Sequence, residues 1–305
     1  MKEYEVVIIG GGPAGLTAGL YASRYGLSTM LIERGLFGGQ IINAGEIQNY
    51  PGFPGGVSGM DLGQMMYDQA SKFGLRAETA EVSGIKTSGN GFDLTVDDET
   101  ISAKAVIIAT GSNYRKMGID GEERLNGRGI SYCATCDGFL FKNLDVAVVG
   151  GGDTAVSDAL ELSQHCKTVY VIHRRDQLRA SEIVQRAAFS SERIKFIWNS
   201  IVSKLEGQEK LEKVIIQDVK TGSTSGLNVS GVFVAIGLIP NNDLFKGFLE
   251  LDEAGNVVSN EMMHTSVPGI FTAGDIRKNS PRQVATAVGD GATAAKSAFS
   301  YLKER

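Results

Sequence analysis

Two short hydrophobic runs in the chain are each followed at once by a cluster of glycines. They cover residues 4–9 and 145–149 and are rich in valine and isoleucine. Short apolar runs that end in glycine predict buried β-strands. A helix-like stretch follows each cluster and reaches Tyr25 in the first case and about Cys166 in the second. The pattern therefore predicts the same strand–turn–helix unit twice.

The first glycine cluster has the spacing G-x-G-x-x-G, formed by Gly10, Gly12 and Gly15. Gly10 permits a tight turn, Gly12 lets a pyrophosphate approach the backbone, and Gly15 lets the helix pack closely on the strand. A second apolar strand at 29–32 ends at Glu33, where an acid accepts hydrogen bonds from a ribose. The unit predicts a dinucleotide site with the phosphates at the helix N-terminus.

The second unit repeats the first in register but ends in a basic segment. His173 stands 23 positions after Gly150 (173 − 150), as Glu33 does after Gly10 (33 − 10). Three arginines follow the histidine: Arg174, Arg175 and Arg179. Arginine at this strand end favours a 2′-phosphate, so the second site is expected to take NADPH rather than NADH. A solvated basic loop is the alternative interpretation.

The rest of the pattern adds antiparallel strands to both units. The β-rich stretches are 78–105 and 196–231, which end in the apolar runs 106–111 and 232–237. The second unit ends near residue 242, and a late strand at 265–275 returns to the first unit, covered by a helix over 285–303. We predict an α/β fold of two Rossmann-like dinucleotide-binding domains with antiparallel β insertions, the second inserted into the first.

The composition is that of an ordinary folded protein with an excess of glycine. Of 305 residues, 42% are hydrophobic, 39 are glycine and only 6 are proline. The 30 basic and 35 acidic residues give a net charge of −5, which is a poor match for nucleic acid or an anionic membrane. No apolar run approaches the ~20 residues of a membrane span, and the start has no apolar signal region. These features predict a cytoplasmic protein.

The cysteine pattern indicates redox chemistry. The chain has three cysteines, of which Cys133 and Cys136 form a C-x-x-C motif. In a cytoplasmic protein this spacing is redox-active or metal-binding more often than structural. A zinc site normally needs four ligands. Because there is no second C-x-x-C, and Cys166 and the three histidines show no ligand spacing, we predict a redox pair and no metal.

These motifs together resemble one family. Three features are similar to those of the flavoprotein disulfide reductases with two dinucleotide-binding domains. They are the two dinucleotide sites, Thr110-Gly111 at a strand end and a late Gly274-Asp275. The segment 131–138, S-Y-C-A-T-C-D-G, lies before the second glycine cluster, whereas larger relatives such as glutathione reductase carry their cysteines after the first. With residues 173–176 (H-R-R-D) and Arg282-Gln283, it resembles the bacterial low-molecular-weight thioredoxin reductases.

The resemblance implies an NADPH-dependent thioredoxin-disulfide reductase along essentially the whole chain. The expected FAD-binding domain is 1–113 with 244–305, and 114–243 is the expected NADPH-binding domain with the cysteine pair. A hydride is expected to pass from NADPH to FAD, then to the Cys133–Cys136 disulfide, and then to oxidised thioredoxin by thiol–disulfide exchange. A cytoplasmic homodimer is also implied, with no nucleic-acid or membrane partner.

The resemblance assigns residues to each cofactor. The FAD contacts are expected at Gly10, Gly12, Pro13, Ala14, Gly15, Glu33, Arg34, Gly38, Gly39, Gln40, Asn49, Ala109, Thr110, Gly111, Gly274, Asp275, Arg282, Gln283, Val284 and Ala285. The NADPH contacts are expected at Gly150, Gly152, Asp153, Thr154, His173, Arg174, Arg175, Arg179 and Ile236. Ser157-Asp158 departs from the pair of glutamates common in the family, which affects the nicotinamide-side contacts and not the class.

The same resemblance gives the catalytic residues their roles. Cys136 is expected to face the flavin and Cys133 to attack thioredoxin. Asp137 is expected to act as the acid or base for thiol protonation, and the alternative is a turn residue that precedes Gly138.

Other functions compete with this hypothesis. One is another NADPH-dependent flavoprotein disulfide reductase, such as a glutaredoxin-like enzyme or a peroxiredoxin-system partner. An alkyl hydroperoxide reductase flavoprotein normally carries an added thioredoxin-like N-terminal part, which is not found in this sequence. A ferredoxin–NADP reductase of this type lacks the cysteine pair. A non-catalytic nucleotide-sensing module is disfavoured by the cysteine pair and the two intact glycine clusters.

Overall fold

The protein consists of two compact units. The structure is a computed structural model that describes residues 2–44 and 46–304. One unit is Met1–Asn113 with Ile239–Arg305, and the other is Tyr114–Leu238. The sequence analysis places the second boundary slightly later, at 243/244. Asn241 contacts the first unit because its backbone N–H donates to the carbonyl of Gly111.

The secondary structure alternates strands with helices in both units. The strands are β1 (Lys2–Ile9), β2 (Thr29–Glu33), β3 (Arg76–Thr79), β4 (Val82–Ser88), β5 (Gly91–Val96), β6 (Glu99–Ile108), β7 (Ser112–Tyr114), β8 (Ile130–Ser131), β9 (Asp145–Val149), β10 (Thr168–Ile172), β11 (Ile194–Ile197), β12 (Ser200–Glu206), β13 (Lys213–Asp218), β14 (Thr224–Asn228), β15 (Gly231–Val234), β16 (Leu238–Pro240) and β17 (Ile270–Thr272). The α-helices are α1 (Pro13–Arg24), α2 (Gly59–Lys72), α3 (Ala134–Asp137), α4 (Asp153–Ser163), α5 (Glu182–Phe189) and α6 (Val284–Lys303). Short 3₁₀ helices cover Gly39–Asn43, Gly138–Phe141, Asp243–Phe245 and Gly274–Ile276.

The first unit is built on a seven-stranded sheet. Its order is β3-β2-β1-β6-β5-β4, and β17 also pairs with β6. The strands β1, β2, β3, β6 and β17 are parallel, whereas β4 and β5 form an antiparallel insertion. Ile8 of β1 is paired with Leu31 on one side and Ile107 on the other, and all three are fully buried. Burial on both faces explains the continuous apolar runs in the sequence.

The second unit repeats this arrangement. Its parallel sheet has the order β11-β10-β9-β15-β8, and β12, β13 and β14 form a separate antiparallel sheet. These pairings confirm the predicted α/β class, the antiparallel insertions and the return of the C-terminal strand to the first sheet. In each unit the strand order reverses beside the strand that leads into the glycine turn, at β1 and at β9. Ligands of such sheets bind at the carboxyl ends of the strands at this reversal point.

The two faces of the first sheet are covered differently. On one face α1 packs directly on α6, where a side chain at Gly291 would place its Cβ 2.2 Å from the carbonyl oxygen of Ala14. On the other face, Phe245, Leu249 and Val257 from the C-terminal segment join the buried side chains of β1 and β5. The tail of the chain thus covers both faces of a sheet that the N-terminal residues begin. Within the described residues, no helix combines the length and apolar character that crossing a bilayer requires.

A buried ion pair connects α6 to the turn after β17. Asp290, 6% exposed, accepts hydrogen bonds from the Arg277 guanidinium through both carboxylate oxygens. It also accepts from the backbone N–H of Gly274, at 3.1 Å. A carboxylate that satisfies three donors in the interior fixes the turn at 274–276 relative to the helix.

We expect Asp290→Ala to lower the free energy of unfolding by about 3–5 kcal/mol, because it leaves the largely buried Arg277 without a partner. The measurement is urea unfolding followed by far-ultraviolet circular dichroism. Asp243→Ala is the matched control, since it breaks the exposed ion pair with Lys246 and is expected to change little. Equal effects of the two substitutions would contradict a structural role for the buried pair.

Candidate active site

The C-x-x-C motif forms a disulfide at the start of α3. Cys133 and Cys136 are bonded to each other, with their Cα atoms 5.3 Å apart. Cys133 is the N-cap of α3, and its Sγ accepts a hydrogen bond of 3.2 Å from the backbone N–H of Cys136. Both residues are partly exposed. The remaining cysteine, Cys166, is fully buried, and burial raises the pKa of its thiol to about 11, so it is a poor nucleophile.

A hydrogen-bond network holds Asp137 beside this disulfide. The hydroxyl of Ser131 donates to Asp137 Oδ2 at 2.6 Å and accepts from the backbone N–H of Cys133 at 3.1 Å. Burial raises the pKa of the Asp137 carboxyl, and the bond from Ser131 opposes that rise. Ser131 is itself buried, and the sequence analysis did not single it out. A carboxyl whose pKa is raised toward neutrality is suited to exchange protons with a nearby thiol.

The helix α4 contacts the C-x-x-C segment through two of its side chains, Glu161 and Leu162. The Thr135 hydroxyl, between the two cysteines, donates to Glu161 Oε2 at 3.0 Å. Gly138 lies against Leu162, because a Cβ there would be 2.9 Å from the leucine Cδ2. Asp158, one of the two residues that depart from the family pattern, is on the same helix. Burial, aided by the charge of Glu161, raises the pKa of Asp158 to about 7.

A buried glutamate fixes the residue before Cys133. Glu122 is 2% exposed and accepts from the Tyr132 hydroxyl at 2.8 Å. The same carboxylate accepts from the backbone N–H groups of Met117 and Gly118. The Tyr132 ring stacks on Tyr114, with the ring centroids 5.1 Å apart. Polar contacts therefore fix Tyr132, before the cysteine pair, and Thr135, within it. Their partners, Glu122 and Glu161, are distant in sequence, so no local motif predicts these contacts.

The second glycine turn has the geometry that phosphate binding requires. Gly150 has a φ of 155°, and a Cβ there would be 2.4 Å from the carbonyl oxygen of Ala235. Gly152, by contrast, faces open space, since nothing lies within 4 Å of a Cβ placed on it. Asp153 and Thr154 begin α4 directly after it and are exposed. Ile236 follows β15 and packs on the core of this unit.

A basic pocket of about 390 Å³ lies at the carboxyl end of β10. Its lining is Arg174, Arg175, Asp176, Gln177, Leu178, Arg179, Asn199, Val219 and Lys220. Four cations against one carboxylate make it suited to a phosphate group. The three arginines were predicted, but Lys220 was not, because it comes from the turn between β13 and β14. Its Nζ lies 3.4 Å from Asp176 Oδ2.

His173 is not part of the pocket lining. Its side chain is 5% exposed, and its Nε2 lies 3.0 Å from the carbonyl oxygen of Gln177. Burial lowers the pKa of this histidine, the bond to Gln177 raises it, and the charges of neighbouring arginines lower it again. The sequence analysis grouped His173 with the arginines as a phosphate contact, whereas the structure separates the buried ring from the exposed guanidinium groups.

The first glycine turn matches the second. Gly10 has a φ of 108°, and a Cβ there would be 2.3 Å from the carbonyl oxygen of Ala109. Gly12 has no atom closer than 3.8 Å to such a Cβ, and the nearest belongs to Gly39. Glu33 joins the end of β2 to this turn, since its carboxylate accepts from the N–H groups of Gly11 at 2.6 Å and Gly35 at 2.8 Å.

Several predicted FAD residues are brought together by amide contacts. The Gln40 side chain donates to Asn113, which donates to Asn241, which in turn donates to the carbonyl of Thr110. The Asn49 amide donates to the Gln283 side chain at 3.0 Å. Asn241 is a member of this group that the sequence did not indicate.

The remaining predicted FAD residues lie around α1, α6 and the ends of the strands. Pro13, Ala14 and Gly15 open α1, and Val284 and Ala285 open α6. Gly38 and Gly39 lie beside Gly12, Arg34 is exposed after β2, and Gly111 follows β6.

Asp275 is a half-buried acid in the short 3₁₀ helix Gly274–Ile276. Burial raises its pKa, although the Ser280 hydroxyl, which donates to its carboxylate at 3.3 Å, lowers it. Arg282 is exposed and has a φ of 59°, an unusual conformation for a residue other than glycine. Among the described residues, no group of three or more His, Cys, Asp or Glu side chains is arranged to hold a metal ion.

Comparisons with known proteins agree on one family. Residues 4–291 match the family described as pyridine nucleotide-disulphide oxidoreductase. The chain is 46% identical to a thioredoxin reductase of Listeria innocua, over 99% of this chain and 95% of the relative. It is 43% identical to the thioredoxin reductase of Bacillus subtilis, over 99% and 96%. This chain belongs to the thioredoxin reductases of that family.

Solved structures support the same membership. The crystal structure of thioredoxin reductase from Streptococcus pyogenes has a TM-score of 0.95 and 44% identity, and 99% of each chain is covered. The thioredoxin reductase of Giardia duodenalis has a TM-score of 0.94 at 34% identity, over 99% of this chain and 100% of that one. The description of the family names oxidoreduction between a pyridine nucleotide and a disulfide, and Cys133 and Cys136 form a disulfide in this chain.

Lys220→Ala is expected to weaken the binding of adenosine 2′,5′-bisphosphate by about three- to tenfold, because the pocket loses one of its cations. Isothermal titration calorimetry at low and high salt measures the affinity, and the loss is expected to shrink at high salt. Lys195→Ala is the matched control, since this exposed lysine is in the same unit but outside the pocket. An equal loss in both variants argues against a direct contact from Lys220.

Proposed function

We propose that the protein reduces the disulfide of thioredoxin with electrons from NADPH, through a bound FAD and the Cys133–Cys136 pair. The observation that carries this proposal is the disulfide itself, formed at a partly exposed helix start in a member of the thioredoxin reductases. Phe139 and Leu140 follow directly and are 40% and 53% exposed, an apolar surface of the kind that a protein substrate contacts.

The basic pocket supports NADPH as the electron donor. Arg174, Arg175, Arg179 and Lys220 surround a space at the end of β10, where the 2′-phosphate of a bound nucleotide is expected. Gly152 is open to the approach of the pyrophosphate, and α4 begins directly after it with free backbone N–H groups. We assign the 2′-phosphate to the pocket and the pyrophosphate to the glycine turn.

The residues of the first unit fit a flavin dinucleotide. At Gly12, the N-cap of α1, no atom lies closer than 3.8 Å to a Cβ, and Glu33 lies at the end of β2, where it can accept from a ribose. Asp275 is a half-buried acid at the turn after β17, suited to hydroxyl groups of a ribityl chain. When bound, the flavin supplies the conversion of a hydride into the two electrons that a disulfide accepts.

The reduced cysteine pair then performs thiol–disulfide exchange. The Cys133 thiolate attacks one sulfur of the thioredoxin disulfide, forms a mixed disulfide and releases the other thioredoxin sulfur as a thiolate. The Cys136 thiolate attacks Cys133 Sγ, which restores the Cys133–Cys136 disulfide and releases the second thioredoxin thiolate. Both thiolates take up protons, and we assign Asp137 to proton transfer with the cysteine pair. The homodimer and the cytoplasmic location remain predictions.

We expect Cys133→Ser and Cys136→Ser each to abolish thioredoxin reduction, because neither variant can form the intramolecular disulfide. The flavin absorbance is expected to bleach with NADPH as in the wild type. Stopped-flow absorbance and a thioredoxin turnover assay separate these two steps. Cys166→Ala is the matched control and is expected to retain turnover, since that thiol is buried. Full turnover in either serine variant would show that the pair is not the redox centre.

Removal of the Ser131 hydroxyl is expected to raise the pKa of Asp137 further, because the carboxylate loses the donor that stabilises its charge. With Ser131→Ala, the pH profile of thioredoxin reduction in single turnover should therefore move to higher pH. Ser203→Ala, whose hydroxyl bonds only a strand carbonyl in the same unit, is the control and should leave the profile in place. An unchanged profile in Ser131→Ala speaks against proton transfer by Asp137.

A further inference from the structure

The ring of His173 packs directly on the second glycine turn. A Cβ at Gly151 would lie 2.3 Å from the Cε1 and Nδ1 atoms of this ring, so the imidazole occupies the space that a side chain would need. His173 is buried and directly precedes residues 174–181, which we call the arginine loop and which are exposed except for the half-buried Leu178 and the buried Ala180. The imidazole thus lies between the turn and the base of that loop.

The same ring also bonds the arginine loop. Nε2 lies 3.0 Å from the carbonyl oxygen of Gln177, which can only accept, so Nε2 carries the proton and donates. Burial lowers the pKa of His173, although the bond to Gln177 opposes this, and the charges of Arg179, Arg175 and Arg174 lower it further. A neutral imidazole whose donor is already used is a poor partner for a phosphate.

Asp153 provides a second attachment, at the far end of the loop. Its Oδ1 accepts a hydrogen bond of 2.8 Å from the backbone N–H of Ser181, which is 28 residues away in sequence. The backbone N–H of Arg179 also donates to the carbonyl of Gly151 at 2.7 Å. The arginine loop is therefore fixed to the glycine turn at its start, near its end and through its main chain.

We propose that His173 and Asp153 are positioning residues that hold the arginine loop against the glycine turn, and that neither contacts the 2′-phosphate. This inference rests on the proposed NADPH site and deepens it.

Selectivity for NADP over NAD then depends on two residues that offer the phosphate no favourable charge. His173 is a buried imidazole, and Asp153 is an acid. Asp153 in particular would repel a phosphate that it touched.

The physical reason is pre-organisation of the three arginines. Arg174, Arg175 and Arg179 are exposed, so their common placement depends on the backbone of the loop. A loop that is already fixed loses less conformational entropy when it binds a ligand. If the attachments are removed, the loop loses this conformational entropy when the ligand binds. The affinity for a ligand that contacts the arginines is then reduced.

The experiment compares the binding of NADP⁺ and NAD⁺, which differ by one phosphate, to the flavin-loaded full-length protein by isothermal titration calorimetry. The variants are His173→Ala, His173→Gln, Asp153→Ala and Asp153→Asn. Glutamine can keep a donor near the Nε2 position, and asparagine keeps the Oδ1 acceptor. His165→Gln and Asp120→Ala are controls, because both residues are exposed in the same unit and outside the pocket.

Each alanine variant is expected to bind NADP⁺ about tenfold more weakly, the effect of losing one hydrogen bond that orders the loop. NAD⁺ binding is expected to change about twofold or less, and His173→Gln and Asp153→Asn to restore most of the preference for NADP⁺. NAD⁺ binding and far-ultraviolet circular dichroism report whether each variant is folded, and Asp153→Ala tests the idea even if His173→Ala does not fold.

Two results would overturn the inference. One is an unchanged preference for NADP⁺ in the folded alanine variants. The other is a loss in His173→Gln and Asp153→Asn as large as in the alanine variants, which would make the imidazole or the carboxylate a direct ligand. A wild-type protein that binds NADP⁺ and NAD⁺ equally would instead remove the proposed NADPH site, and this outcome is recognised without any variant.

Discussion

The close approach of two backbone segments at the glycine turn of each unit is the constraint on which both candidate sites depend. At Gly10 a Cβ would be 2.3 Å from the Ala109 carbonyl, and at Gly150 it would be 2.4 Å from the Ala235 carbonyl. Only glycine permits these contacts with a positive φ. Because the strands are this close, α1 and α4 begin at the reversal points of their sheets, where their free N–H groups can meet phosphates.

The two glycine turns have different charged surroundings because the strand that follows each of them ends differently. At the end of β2, Glu33 bonds the N–H groups of Gly11 and Gly35 and presents an acid at the turn. At the end of β10, a buried histidine takes the corresponding position, and exposed arginines follow it. The two units thus share one turn and differ in charge through a few residues at one strand end, with no change in the fold.

The redox motif is held more firmly than a four-residue helix could be by itself. The Ser131 hydroxyl joins Asp137 to the Cys133 backbone, Glu122 fixes Tyr132, and Thr135 bonds Glu161 of α4. Each partner is on a different segment of the same unit. These bonds keep the Asp137 carboxyl beside the disulfide, which is the arrangement that the proposed thiol–disulfide exchange requires.

The sequence alone determined the two strand–turn–helix units and the α/β class, and it indicated the paired cysteines, because glycine spacing, apolar runs and C-x-x-C are local patterns with a direct steric or chemical meaning. It did not determine Lys220, Asn241 or Glu122, since each reaches its partners through contacts between distant segments. It also could not separate His173 from the arginines beside it. His173 is buried and the arginines that follow it are exposed because of tertiary packing. Burial depends on which groups lie opposite each side chain in space, and the order of residues in the sequence does not show this.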